Sequence, residues 1–352
     1  MIKPLTLLGW MALFGWLSLF GINANALVIL QYHHISDKTP FITSTAPEIF
    51  EAHLDHLIAE DIEVVALEKA LTADPTSVGS NHVVKVAITF DDAFPSVLVK
   101  ALPLLTERQL PFTLFVATDL IETSRNRYLS WEDLKTIQTA GGTIANHSTR
   151  HQHWARKPSD QSMQAWTKAF IADALEAQAM LEANLGPVPK LYALPYGEYL
   201  PALASALENE GFTVFGQQSG AMAYPPQLVV PRFPMGGPYS DINRFKTKVR
   251  TRPFPRQPKR HQPLLHGLET RPIINLKTIA SKEFERITCF GPEGRLTPST
   301  VNDNVLIGAS QPLKPGRARY NCTQMSDQPG RYFWHSFFWM KLDSDNRWYP
   351  EP

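Results

Sequence analysis

Three short runs in the 352-residue chain carry side chains that can do chemistry together. The first is Thr89-Phe90-Asp91-Asp92, which ends an apolar, β-branched run. Two adjacent carboxylates in such a place are costly to ionise together unless a cation or a raised pKa relieves them. A helix N-cap at Asp92 followed by Pro95 accounts for one of them without any function. The second run is Asn146-His147-Ser148-Thr149-Arg150-His151. His147 and His151 are four apart, so a helical turn faces both imidazoles the same way and lets them share a cation. With a carboxylate from another strand end, two His and one Asp make an open three-ligand site with room for water. A polar loop rich in His, with His153 as a further member, is the plain alternative. The third run, Tyr192-Ala193-Leu194-Pro195-Tyr196-Gly197-Glu198, reads as a tight Pro/Gly turn. Its Tyr196 backbone N–H can point into a cleft as an oxyanion donor.

Something must hold these runs side by side. Leu27–Leu30, Val83–Phe90, Phe112–Val116, Thr143–Ala145, Leu191–Leu194 and Thr213–Phe215 are short apolar runs with strand character. Helical patterns lie between them. Glu48–Ala59 places Phe50, Leu54, Leu57 and Ile58 on one face, and Ser130 caps a helix that runs to Ala140. Gln161–Leu185 and Pro201–Asn209 are further helices, each closed by a glycine. Strands alternating with helices predict an α/β domain, a parallel sheet or barrel whose chemistry sits at the strand ends.

With 43% hydrophobic and 19% charged residues, the composition is globular. It excludes a disordered chain, a disulfide miniprotein and a multi-span membrane protein. Lys+Arg 34 against Asp+Glu 33 leaves no global field to recruit nucleic acid. Lys3, the apolar stretch Leu5–Ile22 and Ala24-Asn25-Ala26 read as a signal peptide over residues 1–26, so the remainder is expected in the periplasm or outside the cell. The same stretch is also long enough for an uncleaved anchor. In an oxidising compartment Cys289 and Cys322 are expected to form a disulfide, contributing about 3 kcal/mol.

The second part of the chain is patterned differently. Ile242–Leu268 contains no acid but carries Arg244, Lys246, Lys248, Arg250, Arg252, Arg256, Lys259 and Arg260. This reads as a solvated linker, or as a surface for an acidic glycan or phospholipid. Ile273–Ile279, Arg286–Phe290, Asn304–Ile307, Arg319–Cys322 and Tyr332–Met340 are β-like runs of a small all-β module, expected to be a sandwich. The expected boundaries are 27–249 for the catalytic domain, 250–272 for a basic Pro-rich linker and 273–352 for the module. Tyr332–Trp339 puts aromatics on both faces of a strand, one face for a core and the other able to stack on sugar rings.

T-F-D-D, H-S-x-x-H and x-x-P-Y-G, in that order, together resemble the polysaccharide deacetylases of the NodB-homology class, carbohydrate esterase family 4. Tyr32-His33-His34 and the stretch Thr39–Leu57 are similar to the branch acting on poly-N-acetylglucosamine. The resemblance implies a distorted (β/α) barrel over residues 27–249. It implies that Asp92, His147 and His151 bind a divalent metal, commonly Zn2+, with Asp91 as general base. It also implies Tyr196 as oxyanion donor, and Pro195, Tyr196 and His33 against the substrate. The implied activity is removal of N-acetyl groups from a β-linked amino-sugar polysaccharide, with no obligatory protein partner. Two departures stand out. Ala193 occupies the place of the arginine that orients the family's base, and the general acid, matched in letters by His266 of Leu264-Leu265-His266, lies beyond the basic run. His153 and a water compete for that acid role. A catalytically silent glycan-binding protein and an O-acetyl esterase on xylan or another glycan are the alternative functions.

Overall fold

The computed structural model describes residues 26–72, 84–124, 126–254, 261–268, 271–277, 286–301, 304–326 and 328–351. The expected signal peptide therefore lies outside the described residues up to position 25, and Ala26 is already paired with Val84. Among the described residues no helix is long and apolar enough to cross a membrane.

A run such as Ala-Leu-Val-Ile-Leu-Gln-Tyr is buried on both faces, which a parallel strand covered by helices requires. It forms β1 (Ala26–Tyr32), all seven residues buried. β2 (Val84–Phe90) lies beside it in register from Ala26 opposite Val84 to Tyr32 opposite Phe90. β3 (Phe112–Val116), β4 (Thr143–Asn146), β5 (Leu191–Ala193), β6 (Thr213–Phe215) and β7 (Phe233–Pro234) complete a parallel seven-stranded sheet in the order β6-β5-β4-β3-β2-β1-β7. With β6 and β7 at its two edges, this is an open, distorted (β/α) barrel, so all three chemical runs leave the sheet at the same end.

Alternation along the strands gives the sheet two different faces. Val28, Leu30, Val86, Ile88 and Leu114 pack outward on the helix residues Phe50, Leu54 and Leu57. Leu27, Ile29, Ala87, Phe115, Ala145, Ala193 and Phe215 form the inner layer. Three of those inner positions are alanines, and the Arg232 guanidinium lies over the Phe115 ring, 5.2 Å from its centroid. The Ser130 cap is a complete capping box, the Asp133 N–H donating to Ser130 Oγ at 3.2 Å and the Ser130 N–H to Asp133 Oδ2 at 2.8 Å.

The acid-free run departs from its reading as a solvated linker. It opens as a helix, Ile242–Lys248, whose first N–H groups donate to Asp241 Oδ1. Phe245 is buried and stacks on His53 at 3.9 Å. Lys248 is buried too, its ammonium donating to the carbonyls of Pro234 and Tyr239. Further on, Arg252–Pro253 and Leu264–Leu265 each pair with Tyr332–Lys341, so the chain is stitched onto the second sheet there. Residues 255–260, with three of the basic side chains, lie outside the described residues.

The C-terminal strands form two sheets over one core. Ile287–Gly291, Gly316–Met325 and Tyr332–Lys341 are antiparallel neighbours. Ile273–Lys277, Ser299–Val301 and Asn304–Gly308 form a separate three-stranded sheet. Ile274, Leu276, Val305 and Ile307 of the second meet Cys289, Tyr320, Cys322, Phe337 and Trp339 of the first. Cys289 and Cys322 stand directly opposite on paired strands and are joined by a disulfide. The other face of Tyr332–Lys341 corrects the sugar-stacking expectation. Phe338 and Met340 are buried against Tyr199, Leu200 and Leu203 of the first domain, and Trp334 meets Phe233 edge-on. That face is a packing seam, because its apolar area is buried against the residues that follow β5.

Candidate active site

At the ends of β2 and β4, Asp92, His147 and His151 offer ligand atoms that all lie within 4.8 Å of one another. Asp92 Oδ1 is 3.3 Å from Nε2 of each histidine. His147 Nδ1 donates to the Ala193 carbonyl at 2.7 Å, which fixes the tautomer and leaves Nε2 turned to the cluster. Asp92 Oδ1 and His147 Nε2 are buried without a hydrogen-bond partner. Two buried, unsatisfied ligand atoms facing each other fit a bound cation, because leaving such atoms bare costs their desolvation. Burial opposes the charge on Asp92, yet His147 and His151 hold its carboxyl well below the usual range. Burial and the neighbouring His147 push His151 down to about 4, so it is a neutral ligand at ordinary pH.

The two histidines do not share a helix, as their spacing suggested. Ser148 and His151 have φ of 70° and 53°, so the loop folds back on itself. The His151 N–H donates to Ser148 Oγ, the Ser148 N–H to Asn146 Oδ1, and Asn146 Nδ2 to the Ala174 carbonyl. That ladder ties the loop to the helix Met163–Leu185. Asp92, Ala93 and Tyr196 are also left-handed, which places five of the eight non-glycine residues of this kind among the described residues at the site. Backbone of this conformation costs about 1–3 kcal/mol per residue and persists where its surroundings over-determine it.

Asp91 is wholly buried and points to the inner face. Arg232 donates to both its oxygens, at 2.7 Å and 2.8 Å, and Gln31 Nε2 adds a third bond at 2.6 Å. Burial raises its pKa, but the Arg232 charge and the nearby His147 outweigh that and hold it at about 2. Arg232 was not among the sequence candidates. It stands one residue before β7, where only a lone arginine in an apolar run, Val229-Val230-Pro231-Arg232-Phe233, hinted at it. It supplies from another strand the guanidinium that Ala193 cannot.

Of the remaining candidates, Pro195 and Tyr196 form the tight turn after β5. His33 lies close enough to help lower both Asp91 and Asp92. His153 donates from Nδ1 to Glu198 Oε2 at 2.9 Å and stacks on Tyr196 at 3.6 Å. His266 is not gathered with them: it is exposed after Leu264–Leu265, its carbonyl accepting from Lys341 Nζ.

An open parallel barrel with a buried, arginine-held carboxylate beside an Asp-His-His cluster has the layout of a hydrolase site. Residues 79–215 match the polysaccharide deacetylase family model, and that match indicates a hydrolase acting on the amide bonds of acetylated sugars. The fold is similar to that of the Streptococcus pyogenes deacetylase PplD in complex with acetate, at 18% identity and TM-score 0.54, over 61% of this chain and 94% of that one. It is similar to a de-N-acetylase from Aggregatibacter actinomycetemcomitans, at 16% identity and TM-score 0.54, over 63% and 99%. A polysaccharide deacetylase from Bacillus cereus matches at 15% identity and TM-score 0.54, over 64% and 69%. At these identities the likeness shows the fold alone. Comparison with curated protein sequences finds no match.

Proposed function

We propose that the chain is an exported, metal-dependent deacetylase that hydrolyses N-acetyl groups of a β-linked amino-sugar polysaccharide. The observation that carries this reading is the pairing of a buried Asp91–Arg232 ion pair with the unsatisfied Asp92–His147–His151 cluster. A divalent cation there supplies Lewis-acid polarisation of the acetyl carbonyl and of the attacking water, and a two-His-one-Asp set suits zinc. Asp91, kept ionised and oriented by Arg232, takes the proton of that water. In this reading the Tyr196 N–H, in the tight turn after β5, donates to the oxyanion that develops at the carbonyl. Collapse breaks the C–N bond, giving acetate and the free amine after a proton reaches the nitrogen.

A guanidinium on Asp91 supports the catalytic reading over a silent glycan-binding protein, since it restores the partner missing at Ala193. Export is supported by Lys3, Leu5–Ile22 and Ala24-Asn25-Ala26. The test is acetate release by purified, metal-loaded protein from β-1,6-linked N-acetylglucosamine oligomers, chitin oligomers, peptidoglycan and acetylxylan. Release from the amino-sugar oligomers is expected. Release from acetylxylan alone would make it an O-acetyl esterase.

A further inference from the structure

Glu198 stands two residues beyond Tyr196 and is 2% exposed, yet it accepts hydrogen bonds from both domains. From its own domain come His153 Nδ1 at 2.9 Å and Arg156 at 3.1 and 3.3 Å. From the C-terminal part come Arg317 Nε at 2.9 Å and the Tyr349 hydroxyl at 2.7 Å. Glu351 bridges the two arginines from the outer side. A buried carboxylate with this many charged donors is rigid, because each donor satisfies a lone pair that water cannot reach.

The same groups converge on the Tyr196 ring. His153 stacks on it at 3.6 Å, His151 lies at 4.5 Å, and the Arg317 guanidinium is 5.4 Å from its centroid. The turn beneath is strained: Tyr196 has φ 59° and Gly197 φ 65°. A Cβ at Gly197 would stand 2.7 Å from the Gln217 side chain, so the turn is pressed close on that side. A non-glycine residue in this conformation needs external support.

We propose that the C-terminal β-module positions the Tyr196 turn, Arg317 and Tyr349 acting through Glu198, so that the deacetylase site is complete only with the module docked. Arg317 is then a positioning residue for the reaction. The catalytic part of this proposal rests on the deacetylase reading; the mechanical part does not.

The experiment uses the full-length metal-loaded protein and compares Arg317→Ala, Arg317→Lys and Tyr349→Phe, with Arg295→Ala on an exposed strand as control. Two quantities are read: amide hydrogen exchange of the peptide spanning Leu194–Tyr199, and kcat and KM for acetate release from an N-acetylglucosamine oligomer. Arg317→Ala is expected to speed exchange at least about 10-fold and to lower kcat about 10-fold, with KM and bound metal unchanged, since small misplacements cost this much. Arg317→Lys should recover part of kcat, and Tyr349→Phe should show a smaller effect of the same kind in a chain that keeps every other contact. Unchanged exchange in both Arg317→Ala and Tyr349→Phe overturns the proposal, as does a kcat loss that follows metal loss. If the wild-type protein releases no acetate, faster exchange still upholds the clamp while the deacetylase reading fails.

Discussion

Arg232 and Asp91, 141 residues apart in sequence, form a two-point ion pair in which neither side chain has any solvent exposure. Taking two charges out of water is costly, and only matched geometry with further hydrogen bonds offsets it. Here Arg232 Nε donates to the Gly216 carbonyl and Gln31 donates to Asp91, so both groups are held on more than one side. Arg232→Gln leaves a buried carboxylate uncompensated and should destabilise the fold by about 3–5 kcal/mol. Adding Asp91→Asn should recover part of that loss. Denaturant unfolding of the four proteins decides it; a single variant as stable as the wild type would show that the pair is not buried in solution.

Asp92→Ala, His147→Ala and His151→Ala should each lose bound metal while keeping the fold, because all three ligand atoms converge on one point. Elemental analysis after dialysis, alongside circular dichroism, is the measurement. Stoichiometric metal in His147→Ala would remove that residue from the ligand set.

Asp91→Asn should retain metal, since Asp91 is not among the three side chains whose ligand atoms converge, Asp92, His147 and His151. Loss of a general base lowers turnover by about 10²–10⁴. Wild-type acetate release from this variant would exclude the base role.

His53 gives a pH dependence with a defined sign. It is buried, accepts from the Tyr32 hydroxyl at 2.9 Å and donates to the Ser240 carbonyl at 2.8 Å. Burial pushes its pKa from 6.5 down to about 4, so the unfolded chain binds the proton first as pH falls. Its stabilising contribution is whole above 6.5 and is lost between 6.5 and about 4, roughly 3 kcal/mol in all. His53→Gln can keep both hydrogen bonds without titrating. Unfolding free energies of the two proteins from pH 7.5 to 4 should converge by about that amount; parallel curves would refute it.

The Cys289–Cys322 bridge spans a sequence separation of 33 and should contribute about 3–4 kcal/mol to the C-terminal module. Cys322→Ser should therefore lower the unfolding transition of the module and leave metal content unchanged, because no ligand lies in those strands. Metal loss on reduction would place the coupling elsewhere.

Local chemistry was legible in the chain itself. Thr89–Phe90 had to be strand because its run is β-branched and apolar, and the carboxylates that follow had to leave the sheet at its end. The Ser130–Asp133 box and the glycines after Leu185 and Asn209 mark helix ends through contacts of a few residues. The histidine pair was visible too, although its geometry comes from left-handed backbone at Ser148 and His151, which spacing does not reveal. The partners of Asp91 and Glu198 were decided only in three dimensions. Arg232 reaches Asp91 because β7 pairs with β1, and Arg317 reaches Glu198 because the aromatic face of Tyr332–Lys341 docks on Tyr199 and Leu200. The apolar run around Arg232 sets that arginine apart but does not name its partner, since a guanidinium finds its carboxylate through sheet order and the docking of one sheet on another part of the chain, and those depend on the burial of apolar surface far from either charge.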